Sequence, residues 1–290
     1  VRILLIGKTG QLGGDLIRNN NGHDLFAPAR DVLDIGNREQ LESIIADQKP
    51  DAVINTAAFH NVPLCETEPE RAFQINCVAV RNLARICGRL GILFVTFSTD
   101  YVFGGERRTP YREDDCPEPL QMYGISRVAG EFAALAAAPR HSIVIRTCGL
   151  YGRSGARSKG GNFVDKRLMD AETCTRLEMG CDQVVSPTST DDLSKAVWQL
   201  LSHPELTPGI YHLVNEGECS WYQFTKAIYE LSGLQVEVVP VDRGGMSGEM
   251  RRPLYSVLAN TKARRMGITL PHWRDGLMHY LSGVPGRAAQ

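Results

Sequence analysis

Apolar positions along the chain fall into two alternating rhythms. RILLIG, Arg2 to Gly7, is an unbroken apolar run stopped by glycine, the pattern of a parallel strand buried on both faces. A helix is expected from about Gln11 to Asn19, a second strand over His23–Ala29, and a helix over Arg38–Lys49 with apolar residues at helical spacing. The rhythm repeats as strand Asp51–Ala58, long helix Glu70–Gly91 closed by glycine, strand Ile92–Asp100, a helix from about Met122, and a strand within His141–Gly152. Strand and helix in this alternation predict an α/β fold: a Rossmann-type parallel sheet with helices on both faces.

The last third reads differently. Short apolar segments such as GIYHLVN (Gly209 to Asn215) alternate with helices such as WYQFTKAIYELSG (Trp221 to Gly233), and DRGGMSGEMRRP (Asp242 to Pro253) is a polar loop. This predicts a smaller C-terminal α/β lobe for substrate. Residues 1–150 are expected to form mainly the dinucleotide domain, with a further segment from about 183–208. Residues 151–182 and 209–290 are expected to form mainly the lobe.

Charge and composition exclude some uses. Lysine plus arginine is 32 and aspartate plus glutamate is 33 in 290 residues, a net charge of -1, so neither nucleic acid nor an anionic membrane is an expected partner. A small-molecule substrate is. The 8 cysteines form no C-x-x-C pair and read as small buried hydrophobes in a reducing compartment. No secretory pattern or apolar run of about 18 residues is seen, and a cytoplasmic location is expected.

Candidate chemistry begins at GKTGQLG. Gly7, Gly10 and Gly13 follow a strand and open a helix, the setting in which glycines admit a pyrophosphate to a helix N-terminus. With Thr9, Gln11 and Leu12 they are the expected dinucleotide cradle. Arg30, Asp31, Asp34 and Ile35 lie where the second strand ends. An acidic residue there favours the adenosine ribose hydroxyls, whereas the Arg30 fork suits a 2′-phosphate, which tilts the expectation to NADP(H) over NAD(H). Ala57, Ala58 and Phe59 in NTAAF, with Ser98, line the strand ends where the cofactor would lie. Thr99 closes one strand and Tyr123 starts a helix, a hydroxyl pair able to bind and protonate a carbonyl while a nicotinamide gives hydride.

These pieces carry a resemblance. NTAAF, ERAFQIN, FSTDYVFGG, TPYREDDCPEPLQMYG, RVAGE, IRTCGLYG, GNFVDKRL, SPTSTDDLSKA, GIYHLVNEGECSWYQFTKAI, RRPLYSVLANTK and LPHWRDGL resemble the extended short-chain dehydrogenase/reductases, and within them the dTDP-4-dehydrorhamnose reductases. The resemblance runs over nearly the whole length. It implies reduction of the 4-keto group of dTDP-4-keto-L-rhamnose with NADPH or NADH, in nucleotide-sugar and cell-surface polysaccharide biosynthesis. By matching position it implies Thr99 and Tyr123 as the catalytic hydroxyls, Asn76 as a supporting asparagine, and Asp100 and Tyr101 near the sugar. It further implies Asn162, Phe163, Pro187, Thr188 and Arg252 on the substrate side. Asp15 matches an acidic position through which some members bind Mg2+ at a dimer contact, so Mg2+ and a homodimer are implied alternatives.

The chain departs from the family at three places. Y-x-x-x-K has become Tyr123 to Arg127, a tryptophan has become Gly149, and an aspartate and lysine have become Pro63 and Leu64. Residues i and i+4 share a helix face, so the positive charge of Arg127 is retained beside the phenol. It acts to lower the phenol pKa, and ~2 units of lowering would represent about 3 kcal/mol. Arginine, however, hardly ever releases a proton. Two other readings stay open: a non-catalytic dinucleotide-binding subunit, like the regulatory subunit of methionine adenosyltransferase, and a reductase or epimerase of another nucleotide sugar.

Overall fold

The computed structural model describes residues 1–154, 161–248 and 250–283; most of the basic glycine-rich stretch before Asn162 lies outside them. Strand β1 (Arg2–Ile6) feeds two cores at once. Ile3 and Leu5 point to one face of the sheet, Leu4 and Ile6 to the other, which is why the run is apolar at every position. Helix α1 (Gln11–Arg18) follows, then β2 (Asp24–Phe26). This strand is shorter than expected, because Pro28 has no N–H to continue the ladder. Helix α2 (Arg38–Gln48) starts where the Asn37 side chain accepts from the Gln40 N–H at 3.1 Å.

Strand β3 (Ala52–Asn55) also ends early. Thr56 turns the chain, its hydroxyl donating to the carbonyls of Ile6 at 2.9 Å and Gly7 at 3.2 Å. Helices α3 (Val62–Thr67) and α4 (Pro69–Phe73) lead into a π-helical turn, Gln74–Ala79, and α5 (Val80–Leu90). Strand β4 (Leu93–Thr99), helix α6 (Met122–Ala137) and strand β5 (Ser142–Thr147) complete the first half.

The second half contains β6 (Leu150–Tyr151), α7 (Phe163–Asp170), β7 (Arg176–Gly180), β8 (Val184–Val185), β9 (Thr188–Ser189), α8 (Thr190–Leu201), β10 (Gly209–His212) and β11 (Cys219–Ser220). It continues through α9 (Trp221–Leu231), β12 (Glu237–Val241), a hairpin of β13 (Met246–Ser247) and β14 (Met250–Arg251), α10 (Thr261–Arg265) and α11 (Trp273–Ser282). The polar loop expected over Asp242–Pro253 therefore contains a small hairpin.

The main sheet is parallel with order β10-β5-β4-β3-β1-β2. This corrects one domain boundary. Gly209–His212 pairs with Ile143–Arg146 as the sixth strand, so it belongs to the dinucleotide half and not to the lobe. The apolar edge of β5 needed a partner, and α8 supplies the crossover to it. One face of the sheet packs on α1 and α8, through Leu12, Leu16, Leu193, Val197 and Trp198. The other packs on α2, α5 and α6, through Leu41, Ile45, Leu83, Ile86 and Ala134. The lobe has its own core of Tyr151, Val164, Leu168, Phe224, Ile228, Trp273, Leu277 and Tyr280. A fourth cluster, including Val102, Phe103, Cys148, Val214, Tyr255 and Val257, joins the halves under the carboxyl ends of β4 and β5.

Candidate active site

Gly7 has φ of +96°, and a Cβ there would stand 2.4 Å from the Thr56 hydroxyl and 2.9 Å from the Ala57 nitrogen, so only glycine turns here. A Cβ on Gly13 would lie 2.2 Å from the Gly7 carbonyl oxygen, so α1 can begin this close to the loop only without a side chain. Helix α1 starts at Gly10 with no side-chain cap. The first-turn amides of Gln11, Leu12 and Gly13 are thus left to a ligand, at the positive end of the helix dipole. The Gln11 side-chain oxygen and the Ser98 hydroxyl are buried without a partner among the described residues. An uncapped helix start, a loop open only to glycine and orphaned polar atoms fit a dinucleotide pyrophosphate. Thr9 is exposed on the loop, while the Leu12 and Ile35 side chains face the core and leave only their backbones for a cofactor.

Arg30 is exposed and donates to Asp34 at 3.1 Å. Burial raises the Asp34 pKa, but the Gly36 N–H and Arg30 outweigh it and hold the carboxyl below its ordinary value. Asn55 accepts from the Ala57 N–H at 3.1 Å and so sets the Ala57–Ala58 turn.

Asn76 organises the far side. It lies in the π-helical turn, where the wider coil turns its amide toward Phe59. The amide oxygen accepts from the Phe59 N–H at 2.9 Å, and the amide nitrogen donates to the Phe59 carbonyl at 2.9 Å and to the Ser126 hydroxyl at 3.0 Å. Helix α6 comes close because Gly130 faces this turn: a Cβ there would sit 2.0 Å from the Asn76 carbonyl oxygen. The close approach brings Arg127 onto Asn76, its Nη1 at 3.5 Å from the amide oxygen. Arg127 is 6% exposed, and no carboxylate among the described residues pairs with it. Glu131, one turn on, is engaged bidentately by Arg146 at 2.9 and 2.7 Å.

Tyr123 and Thr99 meet at the carboxyl end of β4, and the Tyr101 ring stands edge-on to the Tyr123 ring at 6.2 Å. Burial drives the Tyr123 phenol pKa up, Arg127 works against it, Asp100 raises it, and the nearby Thr99 hydroxyl lowers it; the net direction is up. The lowering expected from Arg127 is thus present but is outweighed by burial. Thr99 donates to Asp100 Oδ1 at 3.0 Å and accepts from the Tyr101 N–H at 3.2 Å. Asp100 is 3% exposed, and its other oxygen accepts from Ser256 at 2.6 Å.

The expected substrate-side residues divide. Tyr101 lies beside Arg252, whose charge favours the phenolate while burial opposes it, and the Arg252 Nε is buried without a partner among the described residues. Phe163 packs at a tilt against Trp221, ring centroids 4.7 Å apart, with Arg167 over its ring at 5.0 Å. Gly149 has φ of +54°, and a Cβ there would press on Pro187 at 3.2 Å and on the Trp221 ring at 3.3 Å. The ring of Trp221 thus stands against the position where the family pattern has tryptophan. Asn162, by contrast, is a buried N-cap. Its amide nitrogen donates to Gly152 O, Tyr280 Oη and Asp165 Oδ2 at 2.9, 2.8 and 2.6 Å, so its hydrogens are spent inside the chain. Thr188 is likewise buried, donating to the Ser186 carbonyl at 3.0 Å. Asp100 faces Thr99 and Ser256 rather than open space. Asp15 is 1% exposed and is committed to Thr190 at 2.5 Å and to Arg18. Among the described residues no group of three His, Cys, Asp or Glu could hold a metal ion.

Sequence reasoning did not single out Ser126, Cys148, Ser256 or the Glu131–Arg146 pair. Only the position of Ser126 between Tyr123 and Arg127 offered a signal. A groove of about 560 Å³ on the lobe, lined by Tyr222, Lys226, Tyr229 and Leu234, touches none of these residues and is not the site.

Comparisons with known proteins identify the family and the fold. The family profile described as RmlD substrate binding domain matches residues 1–284. A spore coat polysaccharide biosynthesis protein of Bacillus subtilis, SpsK, is 39% identical over 97% of this chain and 96% of its own length. A dTDP-4-dehydrorhamnose reductase of Sinorhizobium fredii is 36% identical over 95% of each. A crystal structure of dTDP-4-dehydrorhamnose reductase from Bacillus anthracis in complex with NADP superposes with a TM-score of 0.91 at 32% identity, covering 98% of this chain and 99% of that one. A UDP-glucose 4-epimerase of Thermotoga maritima shares the fold, with a TM-score of 0.82 at 21% identity.

Proposed function

Because the chain belongs to the RmlD family of dTDP-4-dehydrorhamnose reductases, we infer that it reduces the 4-keto group of dTDP-4-dehydro-L-rhamnose to give dTDP-L-rhamnose. It is an NAD(P)H-dependent oxidoreductase of nucleotide-sugar metabolism. The observation that carries the reading is the meeting of Tyr123 and Thr99 above β4, with the unneutralised Arg127 one helical turn away. A bound dinucleotide would supply the hydride. The residues of the chain do the rest: the α1 N-terminus and Gly7–Gly13 loop hold the pyrophosphate, and Arg127 places positive charge at the site. Thr99 and Tyr123 bind the keto oxygen, and Tyr123 gives it a proton. Tyr101, Phe163, Trp221 and Arg252 supply aromatic surface and a cation for the nucleotide sugar. Arg30, free at the end of β2 apart from its exposed contact with Asp34, favours NADPH.

The direct test follows NADPH loss with dTDP-4-dehydro-L-rhamnose, beside Tyr123→Phe. Turnover is expected in the parent and a loss of about 10²- to 10⁴-fold in the variant, with NADPH binding retained. Bound cofactor without turnover in the parent would refute the reading.

A further inference from the structure

Tyr123 must be given back the proton it donates, and its neighbours restrict the source. Arg127 carries charge to the phenol but is not a proton donor, because a guanidinium hardly ever deprotonates. The other polar route leads from Tyr123 to the Thr99 hydroxyl, then 3.0 Å on to Asp100 Oδ1. Asp100 Oδ2 is held by the Ser256 hydroxyl at 2.6 Å, across 156 residues of chain. Asp100 is 3% exposed, and the residues following it in the chain, Val102 and Phe103, and those flanking Ser256, Tyr255 and Val257, are buried in one apolar cluster.

We propose that Asp100 is the proton reservoir of the site, recharging Tyr123 through the Thr99 hydroxyl. The step rests on the reductase reading above. Hydride adds to the carbonyl carbon and the phenolic proton passes to its oxygen, leaving an alcohol and a phenolate. The Thr99 O–H then breaks toward the phenolate as the O–H of the Asp100 carboxylic acid breaks toward Thr99. Tyr123 and Thr99 end unchanged, and Asp100 ends as a carboxylate steadied by Ser256; after product leaves, a solvent proton delivered at Tyr123 passes back through Thr99 to Asp100. Asp100 acts through Thr99 and needs no contact with the sugar.

Its surroundings fit an acid that holds its proton. Burial drives its pKa above the ordinary carboxylate range, against hydrogen bonds from Ser256, Cys148 and Thr99. The titratable groups facing it are Tyr101 beside it in the chain, Tyr123 on α6 and Cys148 after β5, all acids that are neutral when protonated. The nearby cations reach the other groups: Arg127 acts on Tyr123 and Arg252 on Tyr101.

The test uses the full chain with Asp100→Asn and Ser256→Ala. In the cofactor-free protein, carbon-13 NMR should show, besides the buried Asp192, an aspartate carboxyl titrating above the ordinary range and missing from the Asp100→Asn spectrum. A normal titration at Asp100 overturns the proposal. With cofactor and sugar, kcat of the parent should fall at alkaline pH; Asp100→Asn should lose that fall and about 10²-fold in kcat, with KM and NADPH binding within about twofold of the parent. Parental turnover, or an equal loss at every pH, overturns it. Ser256→Ala removes a donor to the carboxylate, so the alkaline limb should move upward with kcat retained; an unmoved limb overturns the proposal, even if Asp100→Asn fails to fold. Failure of the relay alone is a parent that turns over and a variant that matches it. A parent without turnover fails the reductase reading as well, and the NMR titration still reads Asp100.

Discussion

Two buried arginines sit on neighbouring elements and do opposite things. Arg146, on β5, is 1% exposed, grips Glu131 with two hydrogen bonds, lies over the Phe103 ring at 5.1 Å and approaches His212 at 3.5 Å. Its charge is cancelled and its donors are engaged, so it is part of the frame. Arg127, on α6, is almost as buried but among the described residues meets only an amide oxygen, at 3.5 Å. Its charge is therefore left over for what binds. An equally buried cation is structural or functional according to whether the fold supplies its counter-ion. Because Arg146 takes Glu131, the nearest acid along α6 cannot quench Arg127.

This contrast can be broken most severely at the paired arginine. Arg146→Met strands Glu131 in the core and should cost about 3–5 kcal/mol in chemical denaturation, with much of the loss recovered when Glu131→Leu is added. Arg127→Met should do the reverse. We expect unchanged or slightly higher stability and a fall in kcat/KM of about 10- to 100-fold, or about 1.4–2.7 kcal/mol of transition-state stabilisation, measured by steady-state NADPH oxidation.

His212 sharpens the structural half of the comparison through pH. Burial and the Arg146 charge push its pKa down to about 3. Unfolding releases it to about 6.5, so the unfolded chain binds a proton that the native chain refuses. The resulting stability is complete above about pH 6.5 and is lost as pH falls toward the native value, at ~1.4 kcal/mol per unit. Denaturation of His212→Gln between pH 6 and pH 5 should show a slope flatter by about that amount. The smallest effect belongs to an arginine that is not buried at all. Arg30→Ala should leave stability within about 0.5 kcal/mol, because the Arg30–Asp34 pair is exposed. It should raise the KM for NADPH about fivefold, ~1 kcal/mol, and leave that for NADH alone.

The alternation of strand and helix was readable because each central strand is covered on both faces and so carries an unbroken apolar run. β10 was not placed by that signal. Between Thr147 and Gly209 the chain passes through the lobe and α8, and no local pattern states that the two segments pair. In the site, Thr99, Tyr123, Arg127 and Asn76 do come together, because their spacing follows from strand ends and helix turns. Asn162, Thr188 and Asp100 look the same in sequence as ligand-facing polar residues. Only the folded chain shows their hydrogen-bonding capacity consumed by Tyr280, Ser186 and Ser256. Partnerships across 118 or 156 residues leave no mark in local composition.

The wide turn over Gln74–Ala79 has a consequence for how this chain tolerates change in length. A coil carrying a surplus residue is one deletion away from a regular helix. Removing a single residue there would lose no ladder bond, yet would rotate everything upstream by ~100° about the axis. The loop that now latches to the amide at 76 would have nothing to close on, and a helix more regular than the native one would belong to a protein with its cofactor shelf unfastened.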